Sequence, residues 1–357
     1  MVRKHGGNIY QVARELGVRP ETILDFSASI NPLGYAPRVK KALSAPETAV
    51  LNYPDPEAQA FMAALSSYHG LPADHFIAGN GSSEFIHLIP YGLRPKSVLI
   101  VAPAFTEFER TYQRSKGVVF YFTTQEKDGF AIQEKALFDE LKRGYSAVYL
   151  SNPGCPAGVL HPQKMLMELV AAAAKKGTAV ILDEAFIDFD EQKSLKAETA
   201  HWENLLILRS MTKFFALPGL RAGYIISHPK NIERWREQLP PWNMNALAQR
   251  AATESLLDAT HIQKTQQFIA EARDALAAEL KGLPHLTVFK SAANYLLVKI
   301  ADAAGLSAPE LAKKLREKAI LIRSCEDFHG LSDRYFRVAV KKKAENKKLC
   351  AELKKLL

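Results

Sequence analysis

The residue with the clearest chemical potential in this chain is Lys213, which lies among apolar and aromatic residues. Ser210 comes shortly before it in the sequence and Arg221 shortly after it. Apolar surroundings lower the pKa of a lysine amine, and the neutral amine can attack a carbonyl group to form a Schiff base. The serine and the arginine could bind a phosphate beside it. An aldehyde and a phosphate are combined in pyridoxal 5'-phosphate (PLP), although a surface lysine that follows a buried strand would show the same local pattern.

Two further polar residues follow apolar runs of strand type. Asp183 ends the run that begins at residue 179, and Asn152 follows the run 146–151. In open parallel sheets, ligands bind beyond the carboxyl ends of the strands. Asp183 could pair there with a protonated pyridine nitrogen, and Asn152 could donate to the phenolic oxygen of the ring. The alternatives are a carboxylate that caps the next turn and an asparagine that only serves the turn.

A second group of candidates could hold the phosphate and the ring of the cofactor. Gly81, Ser82 and Ser83 lie where a helix is predicted to begin. Backbone amides and hydroxyl groups at a helix N-terminus can bind a phosphate, although an ordinary helix cap has a similar composition. Phe105 follows another predicted strand and could stack on a flat ring. Aromatic residues at such positions also serve simply as core.

Five of these residues resemble, in their order along the chain, the cofactor-binding set of the fold-type I PLP enzymes, specifically the group that contains histidinol-phosphate aminotransferase. They are Asn152, Asp183, Ser210, Lys213 and Arg221. The resemblance extends over nearly the whole chain. It implies an α/β fold in which a large domain with a mostly parallel sheet binds PLP beside a smaller α/β domain. It also implies a homodimer whose active sites lie at the subunit interface.

The same resemblance assigns three residues to the partner subunit or to the substrate. Tyr53 corresponds to the tyrosine that reaches the cofactor phosphate of the partner subunit. Arg337 corresponds to the arginine that binds the substrate carboxylate, and Arg323 to a second arginine for a substrate anion. An arginine fork binds planar anions in a bidentate manner, but a structural ion pair would also explain either arginine. The sequence leaves open which anion each one takes.

The N-terminus narrows the choice within the group. The His-Gly-Gly-Asn motif at residues 5–8 and the segment 26–34 resemble the threonine-phosphate decarboxylases of cobalamin biosynthesis. By this resemblance His5 is expected to contact the substrate phosphate and Asn31 to lie near the substrate carboxylate. Gly6 would let the backbone approach the ligand closely. An incidental histidine at a frayed terminus is the alternative.

The middle of the chain supports the same branch and also departs from the family. Phe186 stands where typical aminotransferases of the group have a tyrosine whose hydroxyl bonds the phenolic oxygen of the ring. The loop 152–158 reads Asn-Pro-Gly-Cys-Pro-Ala-Gly instead of the usual Asn-Pro-Asn-Asn-Pro-Thr-Gly. Asn152 is retained, and we expect it near the substrate as well as the cofactor. Cys155 replaces a polar residue and is interpreted as loop packing.

The resulting hypothesis is a PLP-dependent decarboxylation of O-phospho-L-threonine to (R)-1-aminopropan-2-yl phosphate. One alternative is a decarboxylase that prefers O-phospho-L-serine and yields ethanolamine phosphate, since a methyl group is worth only about 1–3 kcal/mol of selectivity. Another is histidinol-phosphate aminotransferase, which would consume 2-oxoglutarate. A PLP-containing regulator that binds DNA through a basic tail is a fourth possibility from a different class.

Composition and charge limit the classes of function that remain possible. The net charge is +9, and much of it comes from lysines after residue 340. Leu349 and Leu353 recur among those lysines, which predicts an amphipathic terminal helix with a solvated face and no nucleic-acid partner. No apolar run reaches the roughly 20 residues that span a membrane, and the N-terminus does not have the pattern of a signal peptide. Three widely spaced cysteines indicate neither a disulfide framework nor a metal site, and a cytoplasmic enzyme is expected.

The elements that must position these residues follow an α/β pattern. Apolar runs near 97–102, 118–122, 146–151, 178–183, 204–209 and 222–227 alternate with helical stretches, which predicts a mostly parallel sheet. One helical stretch is predicted over 243–281, and short strands and helices follow it. We expect an N-terminal segment over 1–45 that covers the active site with the small domain. The large PLP-binding domain is expected over 46–230, connecting helices over 231–281 and the small domain over 282–357.

Overall fold

The computed structural model describes residues 6–44, 46–94 and 96–357. The helices are α1 (Ile9–Leu16), α2 (Pro37–Ala42), α3 (Glu47–Val50), α4 (Gln59–His69), α5 (Ser82–Leu93), α6 (Thr106–Arg114), α7 (Glu134–Leu141), α8 (Gln163–Ala174), α9 (Pro229–Arg236), α10 (Ala246–Leu256), α11 (Ala259–Lys281), α12 (Ala308–Arg316) and α13 (Lys343–Leu356). The strands are β1 (Leu24–Asp25), β2 (Phe76–Gly79), β3 (Ser97–Ala102), β4 (Val118–Thr123), β5 (Ala147–Ser151), β6 (Ala179–Asp183), β7 (Leu205–Ser210), β8 (Gly223–Ser227), β9 (Leu286–Val288), β10 (Tyr295–Ile300), β11 (Ile320–Leu321), β12 (Arg323–Ser324) and β13 (Tyr335–Ala339).

The central sheet has the strand order β2-β8-β7-β6-β5-β3-β4. Neighbouring strands from β7 to β4 run parallel, and β8 runs antiparallel to both β7 and β2. Strands β5 and β7 are buried along their whole length, as their continuous apolar runs require when helices cover both faces of a parallel sheet. The predicted mostly parallel sheet is confirmed. Its register places Ser151 beside Asp183, so the ends of β5 and β6 meet at one edge.

A second sheet has the order β12-β13-β10-β9, and β1 pairs with β11 in a short parallel sheet of its own. Phe26, which follows β1, packs in the same apolar core as Leu296 of β10 and Leu353 of α13. The carbonyl of Phe26 also accepts a hydrogen bond from the N–H of Ala339 at 2.8 Å. The N-terminal segment is thus attached to the C-terminal part of the chain. The domain limits themselves stay predictions.

The helical stretch predicted over 243–281 is confirmed, but the structure divides it into two helices. The helix α10 ends at Leu256, and Asp258 begins α11 by accepting the N–H of His261 at 3.0 Å. An aspartate at this position stabilises a new helix start, which interrupts a helical periodicity that otherwise looks continuous. Strand β2 was also not predicted, since four residues that are buried throughout have no alternation to reveal them.

The C-terminal helix α13 is amphipathic as predicted. It buries Leu349 and Leu353, while Lys347, Lys348 and Lys354 are exposed. Its lysines therefore form the solvated face of a helix that is anchored in the core. Within residues 6–44, 46–94 and 96–357, we find no helix with both the length and the apolar character that a membrane crossing needs.

Candidate active site

A cavity of about 230 Å³ lies beyond the carboxyl ends of β6 and β7. The parallel strands bring their final residues to one edge of the sheet, and Arg323 of β12 and Arg337 of β13 line the same cavity. Residues predicted from opposite ends of the chain meet in its lining, namely Gly6, Ser82, Ser83, Phe105, Asp183, Ser210, Lys213, Arg221, Arg323 and Arg337. The structure thus supports their grouping, while the role of each residue stays a prediction.

Lys213 lies in the turn that follows β7 and points its amine into this cavity. Burial lowers the pKa of the amine to about 8, and the positive charges of Arg337 and Arg221 act in the same direction. Its Nζ lies 5.9 Å from the centre of the Phe186 ring. A lysine with such a pKa has a larger neutral fraction near pH 7 than an exposed lysine, which makes its amine a better nucleophile.

Asn31 is not among the residues that line the cavity, and its predicted place near the substrate carboxylate stays a prediction. Its side-chain amide donates to the carbonyl of Phe214 at 2.9 Å and to the hydroxyl of Thr265 at 3.1 Å. Its backbone N–H donates to the carbonyl of Lys213 at 3.0 Å. The residue is buried, and its hydrogen bonds hold the turn that carries Lys213. Buried amides are usually satisfied by such hydrogen bonds.

Asp183 and Asn152 are both buried at the sheet edge. Burial raises the pKa of the Asp183 carboxyl to about 6, against the lowering effects of the Ala185 N–H, 3.1 Å away, and of Lys213. The Asn152 oxygen accepts the backbone N–H of His161 at 2.8 Å, which sets the orientation of the amide. The amide nitrogen of Asn152 is left buried without a hydrogen-bond partner among the described residues. This nitrogen is a donor that a ligand oxygen would satisfy.

A cluster of donors surrounds the start of α5. The Arg221 guanidinium donates to the Ser83 hydroxyl at 3.0 Å. Gly81 has a φ of +83°, and a Cβ built there would lie 2.7 Å from the same guanidinium, so a glycine is needed at this position. Ser210 and Thr212 pair their hydroxyls at 2.8 Å at the end of β7. Together with the N-terminus of α5, these groups form a suitable binding site for a phosphate.

The residues present fit PLP. The unsatisfied Asn152 amide, the buried Asp183 carboxyl and the donors around Ser83 and Arg221 match the phenolic oxygen, pyridine nitrogen and phosphate of the cofactor. Lys213 provides the amine that the aldehyde requires. Thr212 was missed in the sequence, although a second hydroxyl two residues after Ser210 was a usable signal.

The two predicted substrate arginines have different surroundings. Arg323 forms an ion pair with Asp327 at 2.8 Å and lies over the ring of Phe328. Arg337 lies over the ring of Tyr295, and besides burial the largest influences on its pKa come from Cys155, Tyr295 and Cys325, none of which is a carboxylate. Phe328 also lines the cavity and was not predicted, because nothing in its local sequence distinguishes it from core.

Of two other predicted residues, only Tyr53 falls within the described part of the chain, and it does not line this cavity. Tyr53 is 79% exposed and stacks on Trp242, with 4.5 Å between the ring centres. Its predicted contact with a partner subunit stays a prediction. His5 lies outside the residues that the structure describes, whereas its neighbour Gly6 lines the cavity. A Cβ at Gly6 would lie 2.2 Å from the carbonyl oxygen of Ser27, so this approach requires a glycine.

A charged cluster on the other side of β7 was not anticipated. Arg209, next to Ser210, is fully buried and pairs with Glu184 at 3.2 Å and Asp188 at 2.7 Å. Glu191 completes this set, which we call the Arg209 cluster. The cluster joins β7 to the segment after β6 and so supports both Asp183 and Ser210 from behind. The sequence does not reveal it, since each charge has an ordinary surface interpretation.

Comparison with known proteins agrees with this geometry. The description "Aminotransferase class I and II" applies to a family that matches residues 21–353. The threonine-phosphate decarboxylase of Salmonella typhimurium is 37% identical, with 99% of this chain and 96% of the relative covered. The bifunctional adenosylcobalamin biosynthesis protein CobDQ of Leptospira interrogans is 32% identical over 97% of this chain and 40% of its own length. The crystal structure of histidinol-phosphate aminotransferase from Clostridium acetobutylicum superposes with a TM-score of 0.87 at 29% identity and covers 94% of this chain and 99% of that one. The chain therefore belongs to the family of class I and II aminotransferases, with the fold that the sequence predicted.

Proposed function

We propose that this protein is a PLP-dependent decarboxylase that converts O-phospho-L-threonine into carbon dioxide and (R)-1-aminopropan-2-yl phosphate. The observation that carries the proposal is the presence of a low-pKa lysine and two arginines in one cavity, which suits an amino acid with two anionic groups. The 37% identity to a threonine-phosphate decarboxylase supports this substrate. The name of the Leptospira relative supports a place in adenosylcobalamin biosynthesis, where we propose that the product becomes the linker of the nucleotide loop.

PLP, when bound, supplies an electron sink for the pair of electrons that carbon dioxide leaves behind. Asp183 would hold the pyridine nitrogen in its protonated form, and the Asn152 amide would donate to the phenolic oxygen. Ser83 and Arg221 would hold the phosphate, with Gly81, Ser82 and Ser210 around it, and Phe105 would lie against the ring. These assignments rest on the positions of the side chains in and around the cavity.

Residues of this chain form the substrate side of the site, and in the proposed homodimer a second subunit contributes to it. Arg337 and Arg323 would bind the carboxylate and the phosphate and so orient the bond that breaks. The Nζ of Lys213, with a pKa of about 8, can take up a proton and return it to the α-carbon of the product. Phe105, Phe186 and Phe328 contribute apolar surface to the lining of the cavity.

Phe186 favours a decarboxylase over an aminotransferase. Its ring packs edge-on against Tyr295, with 4.9 Å between the ring centres, and it presents no hydrogen-bond donor to the cavity. The hydroxyl of Tyr295 donates to the carbonyl of Gly154 at 2.7 Å and is therefore occupied. At this side of the site the phenolic oxygen of the cofactor would receive a hydrogen bond from Asn152 alone. Typical aminotransferases of the group have a tyrosine hydroxyl as a second donor.

A homodimer with shared active sites is part of the proposal. Val50, Leu51, Tyr53 and Trp242 are apolar and strongly exposed, which is unusual for a group of large side chains on a free surface. A second subunit that covers them would bring Tyr53 to a neighbouring site. We also propose a cytoplasmic location and the absence of nucleic-acid and membrane partners. The proposed units of the fold are four chain segments, namely 1–45, 46–230, 231–281 and 282–357.

The test is an assay of the purified protein, loaded with PLP, on three substrates. O-phospho-L-threonine should release carbon dioxide without a keto acid. O-phospho-L-serine should react more slowly, by a factor of about 10 to 200 if the methyl group has its own pocket. Histidinol phosphate with 2-oxoglutarate should give no glutamate. Glutamate formation without carbon dioxide would show that the activity is an aminotransferase and would refute the proposal.

A further inference from the structure

Cys155 lies against one of the two arginines in the cavity. The residue follows β5 in the loop that departs from the usual family pattern, and it is buried in the cavity wall. Its sulfur accepts a hydrogen bond from Nη1 of Arg337 at 3.2 Å. The second terminal nitrogen of Arg337 donates to the carbonyl of Ser27 at 3.3 Å, and the guanidinium lies 4.9 Å from the centre of the Tyr295 ring.

The contacts that the described residues make with Arg337 are therefore with neutral groups. A thiol is a weak hydrogen-bond acceptor and carries no charge when protonated. Burial raises the pKa of the Cys155 thiol, although Arg337 opposes this, so the thiol stays protonated at neutral pH. Nε of Arg337 is buried and has no hydrogen-bond partner in the described part of the chain. The arginine is held in place, yet no ion pair with a carboxylate of the described residues compensates its positive charge.

Arg323, in the same cavity, shows the opposite arrangement. Its guanidinium is 2.8 Å from the Asp327 carboxylate and also donates to the carbonyl of Ser324. Part of its charge is thus neutralised before any ligand arrives. An arginine without an internal counter-ion attracts an anion more strongly than one that must first give up a carboxylate. Arg337 is the arginine of this pair with its charge available.

We propose that Cys155 is a positioning residue for substrate binding, which orients Arg337 toward the cavity through a neutral contact and leaves its full charge for an anionic group of the substrate. The inference rests on the proposed function in assuming an anionic substrate in this cavity. It changes the interpretation of Cys155 from loop packing to a determinant of anion affinity. A carboxylate at the same position would occupy the Arg337 fork and compete directly with the substrate.

A matched pair of variants isolates this charge. Cys155→Asn introduces the residue that the family pattern usually has at this point, and Cys155→Asp has almost the same shape with a negative charge. In PLP-loaded enzyme we expect KM for O-phospho-L-threonine to be at least about tenfold higher for Cys155→Asp than for Cys155→Asn, with kcat differing by less than about threefold. Cys155→Ser should behave like the wild type. Cofactor absorbance confirms that each variant is loaded.

A double-mutant cycle with Arg337→Met shows whether the effect passes through Arg337. The difference in KM between Asp and Asn at position 155 should vanish when Arg337 is replaced. Equal KM values for Cys155→Asp and Cys155→Asn, or a difference that persists in the Arg337→Met background, would overturn the proposal. If a variant at position 155 loses PLP, the cycle is completed with Cys155→Ser and Cys155→Ala, where Cys155→Ala, which has no acceptor for Arg337, should raise KM and Cys155→Ser should not.

The comparison uses whichever of the three assay substrates the wild-type enzyme turns over. A wild-type enzyme that acts on histidinol phosphate would refute the proposed function but would leave the role of Cys155 testable with that substrate, which is also an anion. Failure of the substrate assignment and failure of the Cys155 inference therefore appear in separate measurements.

Discussion

Two groups of buried positive charge lie on opposite sides of strand β7, and they are built in opposite ways. In the Arg209 cluster, one fully buried arginine is surrounded by three carboxylates, those of Glu184, Asp188 and Glu191. In the cavity, Arg337 contacts neutral groups, and its positive charge and that of Lys213 repel each other. The first group has satisfied its charges internally, and the second has charges left for a ligand.

The pKa directions express the same difference. Burial lowers the pKa of Lys213 to about 8, with the repulsion of Arg337 adding to it. In the Arg209 cluster the three carboxylates raise the pKa of Arg209 against the effect of burial. A buried ion pair whose partners are satisfied is a structural element, whereas a desolvated cation without a counter-ion is a candidate for function. The comparison predicts that the two sites respond differently to the removal of one charge.

Removal of the Lys213 amine should have the largest effect on activity. Lys213→Ala is expected to lower carbon dioxide release by roughly 10⁴-fold, because the nucleophile and the proton carrier are lost together. The free energy of unfolding should not fall, since a buried amine without a carboxylate partner contributes little to stability. Steady-state assays and urea denaturation of the same preparation measure both. Near-normal decarboxylation by this variant would contradict the mechanism.

Removal of Arg209 should have the largest effect on stability. Arg209→Met leaves Glu184, Asp188 and Glu191 buried without their cation, and we expect the free energy of unfolding to fall by about 3–5 kcal/mol. Urea denaturation measures this loss. A quadruple variant that also replaces the three carboxylates by Gln or Asn should recover part of it. An Arg209→Met protein that is as stable as the wild type would show that the Arg209 cluster does not stabilise the fold.

Arg337→Met tests the cavity side with the same substitution. We expect KM for O-phospho-L-threonine to rise by about 100-fold, as the loss of one charged hydrogen-bonded contact implies, and the free energy of unfolding to change by less than about 1 kcal/mol. The substitution matches Arg209→Met in size and charge, so the two proteins can be compared directly. A loss of stability as large as that of Arg209→Met would end the distinction between the two regions.

The smallest effect concerns pH. Burial lowers the pKa of His161, whose backbone N–H bonds Asn152, from 6.5 to about 4. Because the folded-state pKa is depressed, this residue contributes stability above pH 6.5 that is lost as the pH falls toward 4. Between pH 7 and pH 5, His161→Gln should therefore lose about 2 kcal/mol less of its free energy of unfolding than the wild type does. Equal pH slopes by urea denaturation would contradict a buried neutral imidazole.

Much of the fold was accessible from the sequence. The apolar runs that became β3 to β8 and the alternating helices predicted the sheet, because strands buried on both faces must be apolar throughout. The family resemblance was confirmed by the comparisons. The break at Asp258 was missed, since a single capping residue inside a helical period changes the backbone without changing the apolar pattern.

For the site, the sequence by itself determined the chemical groups at the strand ends. Lys213, Asp183 and Ser210 follow apolar strands, and parallel strands must bring such residues to one edge. Tertiary structure alone decided which charges are compensated. It placed Cys155 and not a carboxylate against Arg337, gave Arg209 its three carboxylates and used the Asn31 amide to hold the Lys213 turn. These pairings join residues that are distant in the chain, and the charge of a residue type does not reveal which partner will neutralise it.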